Sequence, residues 1–104
     1  MINAVLVLTT VGDNEQAEEL ARRLVEERLA ACVNVHGPMT SFYRWKGAVE
    51  RDAERQLVIK TTRDRLAALE NRLKALHGYE LPEFLVLAAE GGSAAYLAWV
   101  KQNS

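Results

Sequence analysis

Apolar and polar positions along this chain fall into blocks that alternate between two periods. Ala4–Thr10, AVLVLTT, is a continuous run of leucine and β-branched residues, which predicts a strand buried on both faces. Asp13 with Gln16 makes a capping-box pattern ahead of a helix. Ala17, Leu20, Ala21, Leu24 and Val25 then fall on one helical stripe, and Glu18, Glu19, Arg22, Arg23, Glu26 and Glu27 on the other face. Ala30–Val35 predicts a second strand, broken by Gly37-Pro38. Ser41–Trp45 predicts a third strand that is exposed on one side, with Lys46-Gly47 as a turn. The charged run from Glu50 to Arg55 reads as a solvated connection. Gln56–Thr62 predicts a fourth strand that begins a few residues earlier than its apolar part. Leu66, Leu69, Leu73 and Leu76 mark a second amphipathic helix, ended by Gly78 as a left-handed residue. Phe84–Ala89 predicts the last strand, and Ser93 caps a short closing helix.

The chain repeats itself loosely. LVLTT at Leu6–Thr10 and LVIKTT at Leu57–Thr62 each lead into a helix and then a strand at nearly equal spacing. Two β-α-β halves joined by an antiparallel hairpin give β-α-β-β-α-β. The expected fold class is therefore α+β, a ferredoxin-like sandwich with an extended β-hairpin and a short C-terminal helix, formed by residues 1–104 as one domain. Helices cover one face of such a sheet, yet AVLVLTT and FLVLAA are apolar on both alternating faces. The uncovered face would be an exposed apolar patch, so it is expected to pack on another copy of the chain.

Composition narrows the function classes. With 104 residues, 49% apolar and 26% charged, the chain is an ordinary globular protein with a net charge of −1. It has no basic stripe for nucleic acid, and its N-terminal apolar run is far shorter than the roughly 20 residues that span a membrane. One cysteine, Cys32, allows no internal disulfide and suits a reducing compartment, so the expected location is the cytoplasm. Dinucleotide, P-loop, nucleophile-elbow and HExxH motifs are absent, as are the aromatic run of an RNA-recognition domain and the arginine-bearing anion loop of an acylphosphatase. No nucleophile–base pair is visible, and the expectation is that the protein is not an enzyme.

The candidate chemistry is thin and each residue has two readings. His77 is either a histidine favoured by the end of a helix or a metal ligand. Cys32 is a small buried hydrophobe or a thiolate ligand for a soft metal. Glu80 and Glu83, flanking Leu81-Pro82, are solvated charges or hard oxygen ligands. Lys60 sits in an otherwise apolar strand, where it must reach an edge, find a partner or line a cavity. Tyr43 and Trp45 alternate on one strand face, as core or interface aromatics or as walls of a ligand cleft.

EERLAACVNV, TSFYRWKGAVE, LVIKTTRDR, LHGYELPEFLVL and GSAAYLAWV, taken in order, resemble the successive signatures of the divalent-cation tolerance protein family CutA, over Leu6 to Val100. The resemblance implies a ferredoxin-like fold, a tight homotrimer, a likeness in shape to PII signalling proteins, and a link to copper or another divalent cation. Members credited with copper carry a first-strand cysteine and a pair of histidines ending the second helix. Here Thr9 and Leu76-His77 stand at those places, so His77 alone carries over. The leading expectation is a homotrimeric protein of the response to metal ions. It places an intersubunit cleft at Tyr43, Trp45, Lys60, His77, Tyr79, Glu80 and Glu83, with His77, Glu80, Glu83 and Cys32 as candidate metal ligands. The alternatives are a PII-like regulator taking a small anionic ligand in that cleft, with Lys60 as the anion's partner, and a structural trimer scaffold.

Overall fold

The alternation within the first apolar run decides the layering. In the computed structural model, which describes residues 2–104, strand β1 (Ala4–Gly12) buries Val5, Val7, Thr9 and Val11 and leaves Leu6 and Leu8 half-buried on its other face. Helix α1 (Gln16–Glu26) presents Ala17, Leu20 and Leu24 to the buried side, as its periodicity predicts. Helix α2 (Leu66–Leu76), entered through a turn of 3-10 helix at Arg63–Arg65, adds Leu69 and Leu73 to the same core. Strand β2 (Cys32–Trp45), strand β3 (Ala48–Thr62) and the short β4 (Leu85–Ala88) complete an antiparallel sheet of order β2-β3-β1-β4. Val7 and Val11 of β1 meet Leu57 and Ile59 of β3 and the leucines of both helices, so the two helices cover one face of the sheet. Among the described residues the architecture is α+β with four strands and three helices.

The third helix, α3 (Ala94–Asn103), starts where expected: the Ser93 hydroxyl accepts the Tyr96 N–H at 3.2 Å. It lies on the opposite face of the sheet. Its Tyr96 ring is 5.9 Å from Nζ of Lys60, whose register partner Leu6 belongs to the face the first two helices do not cover. Arg28 Nη2 donates to the Gln102 carbonyl at 2.8 Å and ties the C-terminal turn to the end of α1. Beyond α3 the second face stays uncovered. Leu85 and Leu87, opposite Leu8 and Leu6, are 57% and 47% exposed.

Four expectations are corrected. Ala30–Val35 and Ser41–Trp45 belong to one strand, because Gly37-Pro38 is absorbed as a bulge between His36 and Met39 and pairing with β3 resumes after it. Proline has no N–H to give to the ladder, and a bulge is where none is required. The polar run Glu50–Arg55 is strand rather than connection, with Arg51 opposite Phe42 and Asp52 opposite Ser41. Outside the bulge this arm is held by backbone pairing around the Lys46-Gly47 turn, whose residues both have positive φ (50° and 84°), as a two-residue hairpin turn of the right twist requires. Asp13 does not cap α1: Glu15 stands at the N-cap, and the Asn14 carboxamide oxygen accepts the Gln16 N–H at 2.9 Å. Gly78 is not left-handed either. Helix α2 ends at His77 in extended conformation (φ −75°, ψ 141°), where contacts of the His77 ring draw the chain away from the helix axis.

Candidate functional site

The uncovered face carries α3 at one end and a groove at the other. The groove has a volume of about 720 Å³ and is bounded by Thr10 of β1, Tyr43 and Trp45 of β2, Glu54 of β3 and the 78–85 segment that links α2 to β4. Phe84 packs against the core and anchors that segment from below.

His77 sets the course of this segment. Its Nδ1 accepts the Tyr79 backbone N–H at 3.1 Å, so the ring proton resides on Nε2, which donates to the Thr10 carbonyl at 2.7 Å. The imidazole is thereby a neutral tautomer with both nitrogens engaged. Its ring also packs on that of Tyr79, at 4.7 Å between centroids. His77 stands behind the groove as a positioning residue for Tyr79.

Tyr79 spans the groove. Its hydroxyl donates to Glu54 Oε2 at 2.7 Å, and burial together with this carboxylate pushes the phenol well above the usual tyrosine range. Glu54 is 6% exposed, although it belongs to a run of charges that reads as solvated in the sequence. Tyr43 makes a second pair of the same kind: its hydroxyl donates to Asp52 Oδ2, and that bond, with smaller contributions from desolvation and nearby carboxylates, raises the phenol to about 12. Glu83 accepts from Gln56 Nε2 at 3.1 Å, and the same amide donates to the Thr9 carbonyl at 2.7 Å. Glu80 lies on the rim, with Lys46 Nζ at 3.9 Å in an exposed ion pair that contributes little.

The fold thus brings Tyr43, Trp45, Tyr79, Glu80 and Glu83 to one groove, with His77 directly behind it. Within one chain it does not bring Lys60 or Cys32 there. Both face the α3 end of the sheet, Cys32 opposite Lys60 and Lys60 beside Tyr96. Sequence reasoning missed Glu54, Asp52 and Gln56. The signal that finds them is register: counting pairs outward from the Lys46-Gly47 turn makes the charged run a strand facing Phe42 and Tyr43.

The donor set does not fit a metal centre within one chain. Among the described residues, no group of three or more His, Cys, Asp or Glu side chains comes together to hold a metal ion. No described helix is long and apolar enough to cross a membrane.

Comparison with known proteins agrees with this architecture. The profile of the CutA1 divalent ion tolerance protein family matches residues 5–103. The divalent-cation tolerance protein CutA of Thermus thermophilus is 46% identical over 99 residues, covering 95% of this chain and 96% of its own length. The chloroplastic protein CutA 1 of rice is 40% identical over 103 residues, and the match spans 99% of this chain and 58% of the rice protein. The solved structure of the Thermus thermophilus protein superposes with a TM-score of 0.94, covering 97% of this chain and 98% of that one. Since both the sequence profile and the fold extend over almost the whole of residues 5–103, the chain belongs to the CutA1 divalent ion tolerance family.

Proposed function

We propose that the protein serves in the response to divalent metal ions as a homotrimer of ferredoxin-like subunits, in the cytoplasm and without catalytic activity. The observation that carries this reading is the uncovered sheet face. Leu85 and Leu87 on β4, with the stacked pair Tyr96 and Trp99 on α3, leave a band of large apolar side chains in water. Soluble monomers avoid such patches, and burying one at about 25 cal/mol per Å² favours association. The partner is another copy of the chain, not a membrane or a nucleic acid, which matches the net charge of −1. The Thermus thermophilus relative bears the name of divalent-cation tolerance, not of a reaction. Copper or another divalent cation is met weakly by the groove carboxylates Glu80 and Glu83, with further ligands from a neighbouring subunit, since the described residues of one chain hold no complete set.

Two measurements test this. Light scattering after size exclusion should give a mass near three copies of the 11.6 kDa chain. Leu85→Glu with Leu87→Glu should shift it toward one copy, and a wild type that is monomeric at micromolar concentration overturns the assembly. Copper and zinc titrations should saturate for wild type and weaken for Glu80→Gln with Glu83→Gln. Absence of any saturable binding by wild type removes the cation reading. Loss of binding in a folded His77→Ala returns His77 to the ligand set.

A further inference from the structure

We infer that the groove is a binding site for a small organic ammonium ion, a ligand class distinct from inorganic cations and opposite in charge to the anion that Lys60 suggests. Its volume of about 720 Å³ lies within the roughly 300–1,000 Å³ of small-molecule sites. Its walls are aromatic, with Tyr43 and Trp45 on the hairpin and Tyr79 across from them. Its charge is negative, because among the described residues Glu54, Glu80 and Glu83 line it against Arg44, with Lys46 paired to Glu80 at the rim.

The decisive feature is how these carboxylates are held. Glu54, almost wholly buried, accepts from the neutral Tyr79 hydroxyl, and Glu83 accepts from the neutral Gln56 amide. Among the described residues neither has a cation within ion-pair distance, and only Glu80 has one, at 3.9 Å. Neutral donors orient a carboxylate and leave its charge uncompensated. A buried carboxylate without a counter-charge beside aromatic faces is the arrangement that receives a cation with an apolar body. An inorganic divalent ion instead needs several oxygens converging on one point, which the described residues of one chain do not supply without a neighbouring subunit. Lys60, the cation that favours an anionic ligand in the sequence, lies at the other end of the sheet beside Tyr96.

The test is calorimetric titration of the assembled protein with spermidine and with choline, beside magnesium and inorganic phosphate, in physiological salt. Saturable binding of either ammonium ion is expected, weakened about tenfold or more in Glu83→Gln and in Trp45→Ala, with phosphate giving no heat. Circular dichroism and the assembly mass establish that both variants fold. Absence of saturable binding of both ions up to about 10 mM overturns the inference. So does binding unchanged in a folded Trp45→Ala, which would mark diffuse attraction to an acidic surface, and so does phosphate binding in place of the amines. The inference does not depend on the metal reading: copper and zinc titrations can fail while spermidine binds, and the reverse.

Discussion

The Tyr79 hydroxyl donates to the Glu54 carboxylate at 2.7 Å and joins the segment after α2 to a side chain of β3 that water barely reaches. Removing the donor leaves a buried carboxylate without its partner. Tyr79→Phe is therefore expected to destabilise the protein by about 1–3 kcal/mol, the range for orphaning a buried polar group. In a Glu54→Gln background the same change should matter less, because no charge is then left unpartnered. Denaturant unfolding at one fixed protein concentration measures both, since assembly makes stability concentration-dependent. Equal effects in the two backgrounds would show that the pair is not coupled.

Stability should fall at alkaline pH, and the sign follows from two tyrosines. The Tyr43 phenol is raised to about 12, chiefly by its bond to Asp52, and that of Tyr79 is raised by burial and by Glu54. In the unfolded chain tyrosine ionises near about 10. Above that pH the folded state holds protons that the unfolded state has released, so stability declines as pH rises. The contribution is complete below about pH 10 and is lost progressively as pH rises through the folded values. Melting temperature followed from pH 8 to 12 checks this, with Tyr43→Phe expected to flatten the decline. A wild-type profile that is level across that window refutes it.

Two hairpin glycines differ in what an added methyl group meets. Gly47 has φ +84° and open space where a Cβ would stand, so Gly47→Ala adds only the left-handed strain of about 1 kcal/mol. Gly37 has φ +117°, and a Cβ there falls 3.2 Å from both the Arg55 Cα and the Glu54 carbonyl oxygen. Backbone does not move aside as a flexible side chain does, so Gly37→Ala should be the costlier change, at about 2 kcal/mol or more. Chemical denaturation of the two variants side by side decides it, and equal losses would show that the bulge relaxes around the methyl group.

Much of the fold is legible in the chain, for reasons visible in particular residues. Leu20 and Leu24 of α1, Leu69 and Leu73 of α2, and Val5 and Val7 of β1 are all buried as their spacing predicts. Periodicity reports burial against a core, and these segments have one to face. The second strand of the hairpin arm is exposed from Ala48 to Ala53 and has no core to face in this chain, so its composition carries no period. That is why Glu50–Arg55 reads as a loop and Glu54 as solvated. The groove is partly legible for the same reason. Tyr43, Trp45, Tyr79, Glu80 and Glu83 stand out by residue type, whereas Asp52, Glu54 and Gln56 acquire meaning only from what lies opposite them.

By itself the sequence determines which segments carry a buried face, where Lys46-Gly47 reverses the chain, and to which family the signatures belong. Tertiary structure decides which polar groups meet. Lys60 and Glu54 occupy one strand and one face, opposite Leu6 and Gly12 respectively. At about 3.3 Å per residue they are nevertheless roughly 20 Å apart, so the lysine approaches Tyr96 while the glutamate meets Tyr79. Residue type states what a side chain can do, but register along a strand sets its position to within a few ångströms. Hydrogen bonds and charge pairs act only at that range.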